Sequence, residues 1–173
     1  MDKLETPASM DGRHRPIPAG ARIGHVHLRV ADLERSIAFY AGVLGFEITQ
    51  RYGNQAAFLA AGGYHHHIGL NTWESLGGSP PAVGTTGLYH FAVLYPRRVD
   101  LADTFRRLVA AGIPLDGSAD HGVSQALYLR DPDQNGVELY WDRPKNEWPR
   151  ESTGALTMYN RRFDLDELLR LEA

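Results

Sequence analysis

The order strand, helix, strand, strand, strand is written twice in this chain, and that repeat of about 65 to 70 residues constrains the fold more than any other feature. In the first half "RIGHVHLRV" alternates as a strand, with Val26, Leu28 and Val30 on one side and His25, His27 and Arg29 on the other. "ADLERSIAFYAGVLGF" places Leu33, Ile37, Tyr40 and Leu44 at helical spacing, and Gly45 supplies a stop. "FEITQRY", "AAFLAAG" and "HHIGLNTW" read as three short strands between Gly and Asn turn signals. After the Gly/Pro/Ser-rich connection "ESLGGSPPAVGTTG" the series recurs. "LYHFAVLY" is a strand, "DLADTFRRLVAAGI" a helix with Leu101, Phe105 and Leu108 on one face, and "IPLDGS", "QALYLRD" and "GVELYWD" are strands. His25 falls on His90 at an offset of 65, and "FLAAGGYHHHIGL" falls on "LYLRDPDQNGVEL" at an offset of 69, which sets Gly69 on Glu138.

The expectation is an α+β fold of two βαβββ units, about 22–75 and 87–143, within a domain spanning 22–149. Residues 1–21, rich in Pro, Gly and polar residues, are expected to be a loose arm with His14 solvated. In the tail 150–173, "FDLDELLRLEA" predicts a short helix with Asp164 as N-cap and Glu167 three residues later, packed at an edge or on a partner surface.

Composition narrows the chemistry. There is no cysteine among the 173 residues, so disulfides, thiolate zinc sites and cysteine nucleophiles are excluded, and any metal must take nitrogen and oxygen ligands. A formal net charge of −3 without a basic stripe argues against nucleic acid. No signal-peptide pattern and no run of ~20 apolar residues is present, so the expectation is a cytoplasmic protein without a membrane partner.

Strand parity then locates the polar residues. Assigning Tyr89, Phe91, Val93, Leu127, Leu129, Val137, Leu139 and Trp141 to the helix side leaves His90, Tyr128, Glu138 and Tyr140 on the other. Ile68 and Leu70 point inward in the first half, leaving His67, Gly69 and Asn71 opposite. One face therefore collects His25, His27, His67, His90, Tyr128, Glu138 and Tyr140, a set that solvent, a metal or a ligand must satisfy. Two histidines and a carboxylate from three strands are the ingredients of a facial triad of the non-haem Fe(II) type, with positions left open for chemistry. Gly69, at the repeat counterpart of Glu138, leaves a fourth ligand absent. His66 has the opposite parity and is expected to turn towards the core side, while Trp73, Trp141 and Trp148 read as core or rim.

With these residues in place, the chain resembles the vicinal oxygen chelate superfamily over about residues 22 to 149. "GHVHLRVADLERSIAFYAGVLGFE" is similar to its first-unit signature and "LYLRDPDQNGVELYWDRP" to its last-strand signature. The resemblance implies two βαβββ units forming one curved mixed sheet around a metal cleft. Within the superfamily the chain most resembles the catalytic C-terminal domain of type I extradiol (catechol 2,3-) dioxygenases. That resemblance implies Fe(II), or Mn(II), held by His25, His90 and Glu138, with His67, His121 and Tyr128 as active residues around it. His67 would take a proton or stabilise a developing superoxide, Tyr128 would hydrogen-bond the substrate oxygen, and His121 would supply a proton. The substrates would be a catechol-type aromatic diol and O2, the product a muconic semialdehyde, and the setting aromatic compound degradation. Gly69 weighs against lactoylglutathione lyase chemistry, whose branch usually carries a ligand there. Many extradiol enzymes carry a second pair of units where this chain has one. A metal-dependent isomerase or lyase, and a metal-free drug-sequestering protein of the same fold, are the competing readings. Exposed sheet edges of this architecture commonly pair, so a homodimer is expected.

Overall fold

The computed structural model describes residues 15–172. Its elements follow the repeat: β1 (Val26–Arg29), α1 (Leu33–Ile37), β2 (Glu47–Tyr52), β3 (Ala56–Ala60) and β4 (Ile68–Asn71), then β5 (Phe91–Tyr95), α2 (Arg98–Ala110), β6 (Leu115–Asp120), β7 (Ser124–Arg130) and β8 (Gly136–Asp142), with a terminal helix α3 (Leu165–Leu169). His14 lies outside the described residues.

The α+β architecture is the expected one, and the hydrogen bonds group its strands as two four-stranded mixed sheets, ordered β1-β4-β3-β2 and β5-β8-β7-β6. Each has one parallel pair, β1 with β4 and β5 with β8, because the helix between the first and second strands carries the chain across. The two registers are copies of one another. Val26 stands beside Ile68 and Phe91 beside Val137, which are the same pairing displaced by the two repeat offsets. The register shifts between Ile48 and Gln50 recur between Leu115 and Gly117. β1 and β5 are both outer strands.

The apolar faces of both sheets and the helices close on one core, in which Leu28, Tyr40 and Ile68 of the first unit join Leu101, Leu127 and Leu139 of the second. Burial of that shared surface is what holds the two units together. The first helix differs from its expected form: after Ile37 it widens into a π-helical segment, Ala38–Val43, in which Leu44 N–H donates to the Phe39 carbonyl at 3.0 Å. Phe39 and Tyr40 are both buried there with their rings edge to face, and Gly45, at φ +88°, ends the helix.

A polar seam crosses the core between the units. Asp133, in the turn before β8, accepts from Ala31 N–H (3.0 Å), Arg35 Nη2 (2.6 Å) and Ser36 Oγ (3.2 Å). Asp131 accepts from the Tyr40 hydroxyl (2.8 Å), from the backbone of Asp133 and Asn135, and from Asn135 Nδ2. From the other side, Arg107 of α2 donates to the carbonyls of Val43 and Leu44.

α3 starts as expected, Asp164 accepting from Asp166 N–H and Glu167 N–H. It packs on α2 of its own chain: Leu168 is fully buried, Glu167 pairs with Arg98 at 2.7 Å, and Arg106 donates to the carbonyls of Leu169 and Leu171. Among the described residues no helix is long and apolar enough to cross a membrane.

Candidate active site

The second unit assembles a continuous polar chain. Tyr128 on β7 and Glu138 on β8 are directly paired across the ladder, which puts both side chains on one face. The Tyr128 hydroxyl donates to Glu138 Oε1 at 3.0 Å, and the other carboxylate oxygen, Oε2, lies 2.9 Å from His90 Nε2. His121, in the turn after β6, sets Nε2 2.9 Å from the Tyr128 hydroxyl and Nδ1 3.0 Å from the Tyr159 carbonyl. His90 immediately precedes β5 rather than lying within it. Burial, and then the Glu138 carboxylate, push the Tyr128 hydroxyl well above the usual phenol range, so it is held as a proton donor. Tyr140, two residues beyond Glu138, is raised by burial and by Asp142 and Glu138.

The first unit presents imidazoles. His25 precedes β1 and its ring lies 4.5 Å from that of His66, which also packs on Phe58 at 5.0 Å. His66 therefore turns to the polar side, not towards the core. β4 begins only at Ile68, so strand alternation does not reach back to position 66. His65 Nδ1 meets His66 Nδ1 at 2.7 Å, and His67 accepts from Ala61 N–H while its ring lies over Tyr64. Burial and the neighbouring His25 both hold the His66 ring below the usual histidine range. The same two causes, in the same order, lower His27.

His25, His67, His90 and Tyr140 line one cleft of about 910 Å³ between the two outer strands, a volume that accommodates a small aromatic ligand. A smaller hollow of about 190 Å³ touches His90 and Tyr128. Among the described residues no three His, Asp or Glu side chains are gathered so as to hold a metal ion; His90 and Glu138 are in contact, and His25 shares the lining of one cleft with His90. The donor chemistry nevertheless fits a divalent ion of the iron or manganese kind. Two of the three expected ligands, His90 and Glu138, are in direct contact at 2.9 Å.

Gly69 and His27 show why no fourth ligand stands in the first unit. They are ladder partners, and a Cβ on Gly69 would lie 2.9 Å from His27 Cγ. In the second unit the same pair is Ala92 and Glu138. The bulky partner has changed strands: where the second unit carries a long carboxylate opposite alanine, the first carries imidazole opposite nothing. Gly69→Ala is expected to cost about 1–3 kcal/mol in chemical denaturation from overpacking, and a combined His27→Ala change is expected to recover most of it. Additive losses in that cycle would refute the interlock.

Residues 22–139 match the profile of the Glyoxalase/Bleomycin resistance protein/Dioxygenase superfamily. The chain belongs to that superfamily. It is 41% identical over 152 residues to a catechol-2,3-dioxygenase of Bacillus subtilis (strain 168), a match covering 85% of this chain and 50% of that protein. It is 36% identical over 135 residues to biphenyl-2,3-diol 1,2-dioxygenase 3 of Rhodococcus globerulus, covering 76% and 68%. A crystal structure of a glyoxalase/dioxygenase from Nostoc punctiforme superposes with a TM-score of 0.59 at 19% identity, covering 76% of this chain and 99% of that one, and shows the shared fold. The chain thus spans half the length of its Bacillus relative. Parity placed His90, Tyr128 and Glu138 on one face, and the polar chain joins them there to His121 from the turn after β6. Sequence reasoning missed the fit of His27 against Gly69 and the tail contact to His121. The first was legible as a glycine beside a histidine in the ladder; the second had no signal.

Proposed function

We propose that this protein is a metal-dependent extradiol dioxygenase that opens a catechol-type diol with O2. The observation that carries the reading is the continuous hydrogen-bonded chain His121–Tyr128–Glu138 ending at His90. The likeness to two diol dioxygenases supports it. His90 and Glu138, joined by His25 from across the cleft, would hold Fe(II) or Mn(II). When bound, such an ion supplies a common seat for the diol and O2 and acidifies the diol.

The chain's own residues do the rest. Tyr128, kept protonated, orients a diol oxygen by donating to it. His121, bonded to that hydroxyl, would take a proton at Nε2 and return it to the reacting oxygen. His67, on the opposite wall of the cleft, accepts from Ala61 N–H at Nδ1 and would present Nε2–H to negative charge that develops in the cleft. Tyr140 and the apolar lining exclude water beside the ring. Among the described residues β1 and β5 have no strand on their outer sides, and the proposal includes a homodimer in which a second copy covers the cleft between them.

The test is oxygen uptake on catechol by protein reconstituted anaerobically with Fe(II) or Mn(II), with the ring-opened semialdehyde followed by absorbance and the mass by light scattering. His67→Phe is expected to keep its metal and lose about a hundredfold in turnover. Absence of uptake with either metal would end the dioxygenase reading, full activity in His67→Phe would end that residue's role, and a mass of 19.2 kDa would end the dimer.

A further inference from the structure

The segment Thr157–Arg161 belongs to neither βαβββ unit, yet it lies against the turn that carries His121. Asp120 and Arg161 exchange both backbone hydrogen bonds, at 2.7 and 3.0 Å, and Tyr159 N–H donates to the His121 carbonyl at 3.2 Å. The Tyr159 carbonyl in turn stands 3.0 Å from His121 Nδ1. A carbonyl oxygen can only accept, so Nδ1 must be the nitrogen that carries a proton. The docking is close. At Gly122, φ +80°, a Cβ would lie 2.7 Å from Tyr159 Cε1 and 2.8 Å from Pro149 Cγ, so the tail closes over a position that only glycine can occupy. The Arg161 guanidinium caps the Tyr159 ring at 4.4 Å, holding the tail in that pose. A histidine borne on a turn has otherwise no fixed choice between its two nitrogens.

We propose that the tail segment Thr157–Arg161 is a positioning element of the active site, its Tyr159 carbonyl fixing His121 with the proton on Nδ1 and so presenting a bare Nε2 as a second acceptor, beside Glu138 Oε1, for the single proton of the Tyr128 hydroxyl. The consequence for turnover rests on the dioxygenase reading; the state of the imidazole does not. An imidazole freed from the carbonyl can place its proton on either nitrogen, and each molecule with Nδ1 bare has a different partner for Tyr128.

The experiment uses the full chain without added metal, labelled with 15N-histidine, and reads the long-range 1H–15N spectrum at about pH 8, above the ordinary histidine range. The His121 resonances are assigned by their loss in His121→Gln. Wild type is expected to show a protonated Nδ1. Gly122→Ala, which drives a methyl into Tyr159 and Pro149, is expected to move both nitrogens to averaged positions. Tyr159→Phe, which keeps ring and carbonyl, is expected to retain the wild-type signal. If Gly122→Ala does not fold, Tyr159→Pro, which deletes the N–H given to His121, replaces it. In metal-loaded enzyme the same disruption is expected to lower kcat about tenfold and leave KM for catechol nearly unchanged. A bare Nδ1 in wild type, or an unaltered His121 spectrum in the disrupted variant, overturns the proposal. The expected spectra with no catechol turnover in any protein would instead sink the dioxygenase reading and leave the tail's role standing.

Discussion

Glu138→Ala is expected to lose metal uptake and catechol cleavage by more than about a hundredfold while remaining folded. Both oxygens of this carboxylate are engaged, Oε2 with His90 and Oε1 with Tyr128, so its removal breaks the polar chain at its centre. The stability cost is expected to be small, about 1 kcal/mol, because His90 and Tyr128 are each partly open to water and can exchange Glu138 for solvent. Tyr128 should also titrate at lower pH in the variant, since the Glu138 charge is one of the causes that raise it, although burial, the larger cause, remains. Glu138→Gln separates the two contributions, keeping a group of the same shape without the charge. Metal content after anaerobic reconstitution, read beside oxygen uptake and urea denaturation, decides the matter. A Glu138→Ala protein that binds metal and turns over like wild type would falsify the assignment of this residue as a ligand.

Asp131→Ala is expected to lose about 3 kcal/mol of stability, the largest effect of any substitution away from the cleft. Asp131 is 1% exposed and accepts four hydrogen bonds, one of them from Tyr40, whose side chain is fully buried. Alanine leaves the Tyr40 hydroxyl without its acceptor inside the shared core and releases the turn that delivers Asp133 to Arg35 and Ser36 of the first unit. Burial and the two aspartates raise the Tyr40 hydroxyl, so it stays a neutral donor and cannot relieve the loss by ionising. Tyr40→Phe, which removes donor and demand together, is expected to cost only about 1 kcal/mol. Urea midpoints at constant slope check both values. An Asp131→Ala midpoint matching that of Tyr40→Phe would show that the seam is not what couples the units.

The repeat made much of this arrangement legible in advance. Offsets of 65 and 69 in the sequence are the offsets between the two ladders, so parity alone puts Tyr128, Glu138 and His90 on one face. Parity fails where a strand ends. The first residue of β4 is Ile68, and the histidine at 66 obeys its packing on His25 and Phe58 instead of the alternation. Parity also fixes a face and not a separation: it put His25 beside the cleft that His90 lines, but the distance between them depends on how two sheets sit around a shared core. The π-helical segment has no period of its own to betray it, because Leu33, Ile37, Tyr40 and Leu44 are buried under either winding. The contact of Tyr159 with His121 is made by a main-chain carbonyl, which every residue type provides and no sequence pattern announces.

The exchange of bulk between His27–Gly69 and Ala92–Glu138 restricts how one unit could ever come to resemble the other. A carboxylate cannot be added at position 69 while the imidazole of His27 lies 2.9 Å from where its first carbon must go. The order of events is therefore imposed: position 27 must shrink before position 69 can grow, and the intermediate with both residues small leaves a gap in the wall. Two units of one topology are in this way held to unlike parts, the first kept from the second's role by the bulk of a single side chain.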